Sequence, residues 1–231
     1  MHHRRALYHR RKSLDRKMIL RLESAMHRIF SSTRARPRLF ENAFFEFFTF
    51  FTLKAFLVLW SVLLTGIAAT AVFQSPTIWA LPLIAAGWGG WTIVEYGMHR
   101  FVFHLEPQSA KLRQIVFIIH GNHHADPGDP LRNLMPPVIS VSLGGLIWAG
   151  CVALIGPEGH WFFLGFMIGY VVYDLLHYAC HQFAMTGVIP RFLKVHHMRH
   201  HFERDGGNYA ITGILWDRLF STKLPARRER V

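Results

Sequence analysis

Three stretches of this chain carry no charged side chain over 18 or 19 residues: 55–73, 77–94 and 138–155. A helix needs roughly 20 apolar residues to span the hydrocarbon layer of a bilayer. A fourth apolar run, 161–173, is interrupted by Asp174, but Leu175, Leu176 and Tyr178 let an amphipathic helix continue. The pattern therefore predicts an all-α integral membrane protein of about four transmembrane helices, arranged as two hairpins.

The polar segments between these runs have their own texture. Residues 120–137 (HGNHHADPGDPLRNLMPP) are dense in Asp, Pro and Gly and predict an irregular, rigid loop. Near the start, Met18, Ile19, Leu22, Ala25, Met26 and Ile29 recur at helical spacing among basic residues, which suits a helix lying on a membrane surface or packed on the protein. Phe44 to Phe51 holds six Phe in eight positions and reads as an interfacial or packing surface leading into the first crossing. Gly87, Gly89 and Gly90 suit close helix packing.

Charge then orients the crossings. Residues 1–43 carry twelve Lys or Arg against three acids, whereas the turns at 74–76 and 156–160 contain no Lys or Arg. Positive flanks are retained on the cytoplasmic side, so both termini and the long middle segment are expected there. The same topology and attraction to anionic headgroups explain the net charge of +12 better than nucleic-acid binding does. The basic start is too long for a secretory signal. Cys151 and Cys180 offer neither a disulfide framework nor a paired metal spacing. The expected organisation is a basic cytoplasmic segment 1–43, a membrane-embedded domain 44–222 and a charged tail 223–231.

That orientation places ten of the sixteen histidines on one aqueous face. They fall into four clusters: His99 and His104; His120, His123 and His124; His177 and His181; His197, His200 and His201. Neutral imidazole is the commonest protein metal ligand, and a gathering of this size points to metal. His177 and His181 share a helix face, being four residues apart. His99 and His104, five apart, converge only through a local distortion or by serving different metals. Adjacent imidazoles in the two H-x-x-H-H patterns point in different directions, which suits neighbouring metals. Ten nitrogen donors exceed one tetrahedral zinc and suit two ions of coordination number five or six. Glu95 and Asp174, each one turn before a cluster, are the candidate catalytic carboxylates, placed to hydrogen-bond or neutralise. His196 is a supporting candidate. His2, His3, His9, His27 and His160 read as isolated interfacial or hydrogen-bonded residues.

EYGMHRFVFH at 95–104, HGNHHADPGDPLRNLMPP at 120–137, YDLLHYACH at 173–181, and HMRHH with WDRLFST at 216–222 resemble the fatty acid hydroxylase superfamily, which includes sterol desaturases. The nearest likeness is to its fatty acid and ceramide 2-hydroxylase branch. The resemblance implies a cytoplasmic histidine-rich helical cap in which the ten clustered histidines bind two iron ions, with zinc able to occupy the same sites in purified material. It implies a membrane-bound di-iron monooxygenase that hydroxylates the acyl chain of a fatty acid or fatty-acyl lipid with O2. Eukaryotic relatives often carry a cytochrome b5-like domain that the basic residues 1–43 do not resemble, so a separate electron donor is expected, cytochrome b5-like or ferredoxin-type with its reductase. Arg100, Arg132 and Asn133 are expected near the lipid's polar head.

Two other readings compete. The same metal centre could desaturate or hydroxylate a sterol, a carotenoid or a lipid headgroup, since both chemistries start by removing hydrogen. A non-catalytic membrane metal-binding or transport protein would instead need polar residues inside the crossings, and the three long runs hold no ionisable ones.

Overall fold

The computed structural model describes residues 38–203 and 206–225, in which every regular element is helical. The surface helix expected at 18–29 and the end of the charged tail lie outside the described residues. A short helix α1 (Ala43–Phe47) precedes α2 (Leu53–Gln74), α3 (Ala80–Gly97), α4 (Ala110–Val116), α5 (Asn122–Ala125), α6 (Pro137–Ile155), α7 (Gly159–Gln182), α8 (Val188–Phe202) and α9 (Leu215–Leu219).

Local chemistry sets the limits of the long helices. Thr52 caps α2, its hydroxyl accepting from the Ala55 amide at 3.2 Å, and so supplies one of the partners that the first turn lacks. Pro137 opens α6, where its missing N–H costs nothing. The helix stops at Gly156, whose φ of +78° suits glycine alone. Pro157 then begins a single 3-10 turn (Gly156–Glu158) that reverses the chain into α7.

Helix α7 is the one against which the other long described helices pack. Gly87 on α3 and Gly165 on α7 let the two backbones touch: a Cβ on Gly87 would sit 1.9 Å from the Phe162 carbonyl oxygen, and one on Gly165 would sit 2.0 Å from that of Ile84. Small residues at such crossings permit close packing where burial of apolar surface from water is not the driving force. Trp91 and Trp60 meet Tyr170 edge-on at 5.2 and 5.1 Å. Ile84 and Trp91 pair with Gly165 and Gly169, so α3 runs parallel to α7. Trp60 against Tyr170, with Gln74 against His160, makes α2 antiparallel to it. Gly144 against Met167, with Trp148 against Phe163, does the same for α6.

The consequence is that the start of α2, the end of α3, the start of α6 and the end of α7 share one end of the bundle. All four histidine clusters are attached there. The opposite end is closed by His160, which accepts from Trp148 Nε1 at 2.8 Å and meets Gln74 Oε1 at 3.2 Å.

Leu53–Gln74 and the stretch Pro137–Gln182, in which α6 and α7 meet at the 3-10 turn, are long and apolar enough to cross a membrane, each with mean hydropathy 2.2. Their outward side chains, including Val62, Phe73, Leu146 and Leu154, are exposed. Apolar surface on this scale marks contact with lipid or protein rather than water.

One segment differs from the sequence expectation. Residues 120–125 are helical rather than irregular, because a wide π-turn (Phe117–Gly121) continues α4 into α5 before Asp126 breaks the chain. Asn122 supports that turn by donating to the Phe117 and Ile118 carbonyls at 3.1 and 2.7 Å. A second π-turn (Met98–Phe103) continues α3. Its i→i+5 spacing stacks residues five apart on one face. It thereby supplies the distortion that brings His99 and His104 together, ring centroids 5.1 Å apart.

Candidate metal centre

The ten clustered histidines converge into two groups of five. His99, His104, His120, His124 and His200 form the first; His123, His177, His181, His197 and His201 form the second. Within each group one ring nitrogen per residue lies within 4.8 Å of all the others. The two H-x-x-H-H patterns are split between them. His123 and His124, neighbours in the chain, face different groups, and so do His200 and His201. His124 and His201 stack at 4.1 Å where the groups adjoin.

Two straps outside the helices orient these rings. Residues 133–135 serve the second group. The Asn133 carbonyl oxygen accepts from His177 Nδ1, and Asn133 Oδ1 accepts from His123 Nδ1, both at 3.0 Å. Asn133 Nδ2 donates to the Pro127 carbonyl, which fixes the amide's orientation. Residues 207–212 serve the first group. The Gly207 carbonyl accepts from His200 Nδ1 at 2.8 Å, and the Tyr209 carbonyl accepts from His99 Nδ1. A carbonyl on one ring nitrogen commits that nitrogen to N–H and leaves a lone pair on the other.

The donor chemistry fits metal. His123 and His177, each with Nδ1–H committed to Asn133, present their Nε2 lone pairs to each other at 2.9 Å. Two opposed lone pairs repel, and a cation shared by them reverses the sign. His99 Nε2 and His104 Nε2 are buried without a hydrogen-bond partner among the described residues, an arrangement rare for buried polar atoms unless an ion belongs there. Burial, reinforced by repulsion from neighbouring imidazoles, holds His99, His120 and His123 well below the ordinary histidine range. The same causes bring His124 down to about 2 and His200 to about 3. These rings are neutral at pH 7, the form that can ligate.

Both candidate carboxylates hold straps. Glu95 accepts from the Ile211 and Thr212 amides at 2.6 and 3.0 Å and from the Thr212 hydroxyl at 2.6 Å. Asp174 accepts from the Met135 amide at 3.0 Å and the Tyr170 hydroxyl at 3.1 Å. Neither bonds to a histidine among the described residues. Each anchors the loop whose carbonyls orient one five-membered group, Glu95 the first and Asp174 the second.

Sequence reasoning missed Asp217. Fully buried, it accepts from His196 Nε2 at 2.9 Å, from the Tyr209 and Ala210 amides at 2.9 and 3.0 Å, and from Thr222 Oγ1 at 2.7 Å. His196 is thus tied to the first group's strap. Its signal in the sequence was its place in the WDRLFST stretch at 216–222. Of the residues expected near a lipid headgroup, Asn133 holds His123 and His177, and Arg132 meets Glu46 at 2.6 Å; both also line the cavity that reaches these rings. Arg100 donates to Tyr96 Oη at 2.9 Å. His160 lies at the far end of the bundle from all ten clustered histidines.

A cavity of about 440 Å³ reaches His120, His123 and His177 from between α1 and the 132–136 strap. A second, of about 330 Å³, lies among α3, α6 and α7 and is almost wholly apolar. Phe103, Ile119, Met135, Ile139 and Tyr173 line both.

A family model described as fatty acid hydroxylase matches residues 84–222. The dihydroceramide fatty acyl 2-hydroxylase FAH1 of Arabidopsis thaliana is 34% identical over 193 residues, covering 83% of this chain and 81% of that protein. The fatty acid 2-hydroxylase of Homo sapiens is 38% identical over 142 residues, 59% of this chain and 38% of that protein. Among solved structures, full-length scs7p, of which only the hydroxylase domain is visible, superposes with a TM-score of 0.74 at 31% identity, covering 80% of this chain and 71% of that one.

Proposed function

Because the chain belongs to the fatty acid hydroxylase family, we propose that it is a membrane-bound di-iron monooxygenase acting on the acyl chain of a fatty-acyl lipid, at the second carbon, the position in its relatives' names. The observation that carries this reading is that two five-histidine groups adjoin at the inner end of an apolar cavity. His99, His104, His120, His124 and His200 would hold one ion, and His123, His177, His181, His197 and His201 the other. Iron held there would supply O2 reduction and removal of hydrogen from a methylene C–H bond, with two external electrons and two protons, one oxygen atom entering the C–H bond and the other leaving as water.

The chain's own residues select and shelter the reacting carbon. The shared lining of the two cavities leads from His120, His123 and His177 into the space between α3, α6 and α7. A chain lying along that path would place its polar end toward the histidines and its tail among apolar side chains. Water is kept from the reacting methylene by the same packing, which protects a strong oxidant from side reactions. Glu95, Asp174 and Asp217 act as positioning residues through the straps, since their bonds go to backbone amides, hydroxyls and His196.

We place α2, α3, α6 and α7 across the bilayer, with both termini and the histidine end on the cytoplasmic side. The absence of Lys and Arg from 74–76 and 156–160 supports that orientation. Electrons would come from a separate cytochrome b5-like or ferredoxin-type donor.

The test compares lipid extracts of cells with and without the protein by mass spectrometry. A gain of one oxygen, located by fragmentation on the second carbon of an acyl chain, is expected. No oxygenated lipid from iron-loaded protein supplied with a reductant would overturn the assignment.

A further inference from the structure

The histidine groups and their straps leave one buried ion pair unexplained. Glu46 and Arg132, 86 residues apart, meet at 2.6 Å with side chains only 11% and 5% exposed. Glu46 lies in α1, among the run of phenylalanines, and its second oxygen accepts from the Leu39 and Phe40 amides at 3.0 and 2.9 Å. One carboxylate thus closes residues 39–46 into a loop and ties that loop to Arg132. The attachment is reinforced on both sides. The Arg132 guanidinium lies over the Phe50 ring at 4.9 Å, and the Phe51 amide donates to the Leu131 carbonyl at 2.9 Å.

What the pair joins gives it meaning. On one side, Phe40, Phe44, Phe45 and Phe48 form a wall of the larger cavity. On the other, Arg132 immediately precedes Asn133, the residue that holds both His123 and His177. A displacement of Arg132 is passed to Asn133 through one peptide unit, whose geometry is stiff. Resting on the hydroxylase reading for its lipid part, we propose that Glu46 is a positioning residue that fixes the phenylalanine wall and the second histidine group as one unit. The wall sets which acyl chains fit, and its seating keeps His123 and His177 aimed at their metal.

Glu46→Gln is the direct test, because it keeps the size of the side chain while removing the negative charge that faces buried Arg132. Arg132→Lys is the milder companion. It keeps the charge and loses the planar fork that both pairs with Glu46 and covers Phe50. Phe45→Ala alters the wall alone. Two readouts are taken on purified full-length protein: resistance of bound metal to a chelator, and the chain-length profile of hydroxylated lipid.

Both pair variants should release one of two metal equivalents at about tenfold lower chelator concentration, the lower end of the effect seen for residues that support ligands. Phe45→Ala should keep wild-type chelator resistance and broaden the chain-length profile. Wild-type chelator resistance in folded Glu46→Gln and Arg132→Lys would overturn the coupling, whatever the activity. An unchanged profile in Phe45→Ala, with active protein, would overturn the role of the wall. Absence of hydroxylated lipid from the wild type is a separate result, which strikes the functional reading and leaves the metal readout to decide the coupling.

Discussion

His123 and His177 face each other with their Nε2 atoms 2.9 Å apart, while Asn133 accepts from the Nδ1 of both. One residue, using its side chain for the first ring and its backbone for the second, sets the tautomer of two imidazoles that lie 54 positions apart. Without a cation between them the two lone pairs repel, so the arrangement is built for a bound ion.

Asn133→Ala removes the side-chain half of this clamp and keeps the backbone half. His123 is then free to rotate, and the second metal equivalent should bind roughly 10–100-fold more weakly, the usual cost of losing a residue that orients a ligand. Metal analysis across a chelator series measures this. An unchanged second equivalent would remove Asn133 from the site's support.

Glu95→Ala leaves the Ile211 and Thr212 amides unpaired in a buried setting, at about 1–3 kcal/mol for each lost partner. The melting temperature should fall, and lipid hydroxylation should fall with it, because the Tyr209 carbonyl that holds His99 is carried on the same strap. Glu95→Gln retains one acceptor oxygen and should fall between the alanine variant and the wild type in both measurements. A Glu95→Ala enzyme with full turnover would return this residue to a purely structural role.

His120→Ala and His200→Ala each take one donor from the first group and should lower bound metal and abolish hydroxylation. His160→Ala should alter neither. It strands the Trp148 indole N–H and so costs about 1–3 kcal/mol of stability at the opposite end of the bundle. Full product formation by the His120 or His200 variant would show that the ligand set is misassigned.

Acidity offers a test on metal-free protein. Burial keeps His99, His120, His123, His124 and His200 below the ordinary value of about 6.5 that they regain on unfolding. Above that pH both states are neutral and no cost arises. As the pH falls below it, the unfolded chain takes up protons that the folded chain refuses, so stability declines progressively toward the folded values. The melting temperature of chelator-treated protein in detergent should hold between pH 8 and about 7 and drop below about 6.5. A melting temperature that stays level down to pH 5 would contradict the burial of neutral rings.

Much of this was written in the sequence. Uncharged runs marked α2, α3 and α6, and a shorter apolar run ending at Asp174 marked α7, because a charged side chain is costly where no water meets the helix. Charge asymmetry between the turns pointed to one face for all ten clustered histidines. The i, i+4 spacing of His177 and His181 placed both on one face of α7, which depends on helix geometry alone. The adjacent pairs His123 with His124 and His200 with His201 implied two centres, since neighbouring side chains on a helix diverge.

Tertiary structure alone decided the rest. A separation of five positions between His99 and His104 does not reveal a π-turn, because that turn is stabilised by what packs around it. Glu95 and Asp174 looked like catalytic carboxylates, placed to hydrogen-bond or neutralise, by their distance from histidines along the chain. Their actual partners, Ile211, Thr212 and Met135, are brought to them only when the straps fold over the bundle's end. Asp217, Asn133 and the pairing of Glu46 with Arg132 were hidden for the same reason. Periodicity records which face a residue occupies on its own element, whereas the backbone carbonyls and amides that aim a side chain come from elsewhere in the chain and leave no mark in residue spacing.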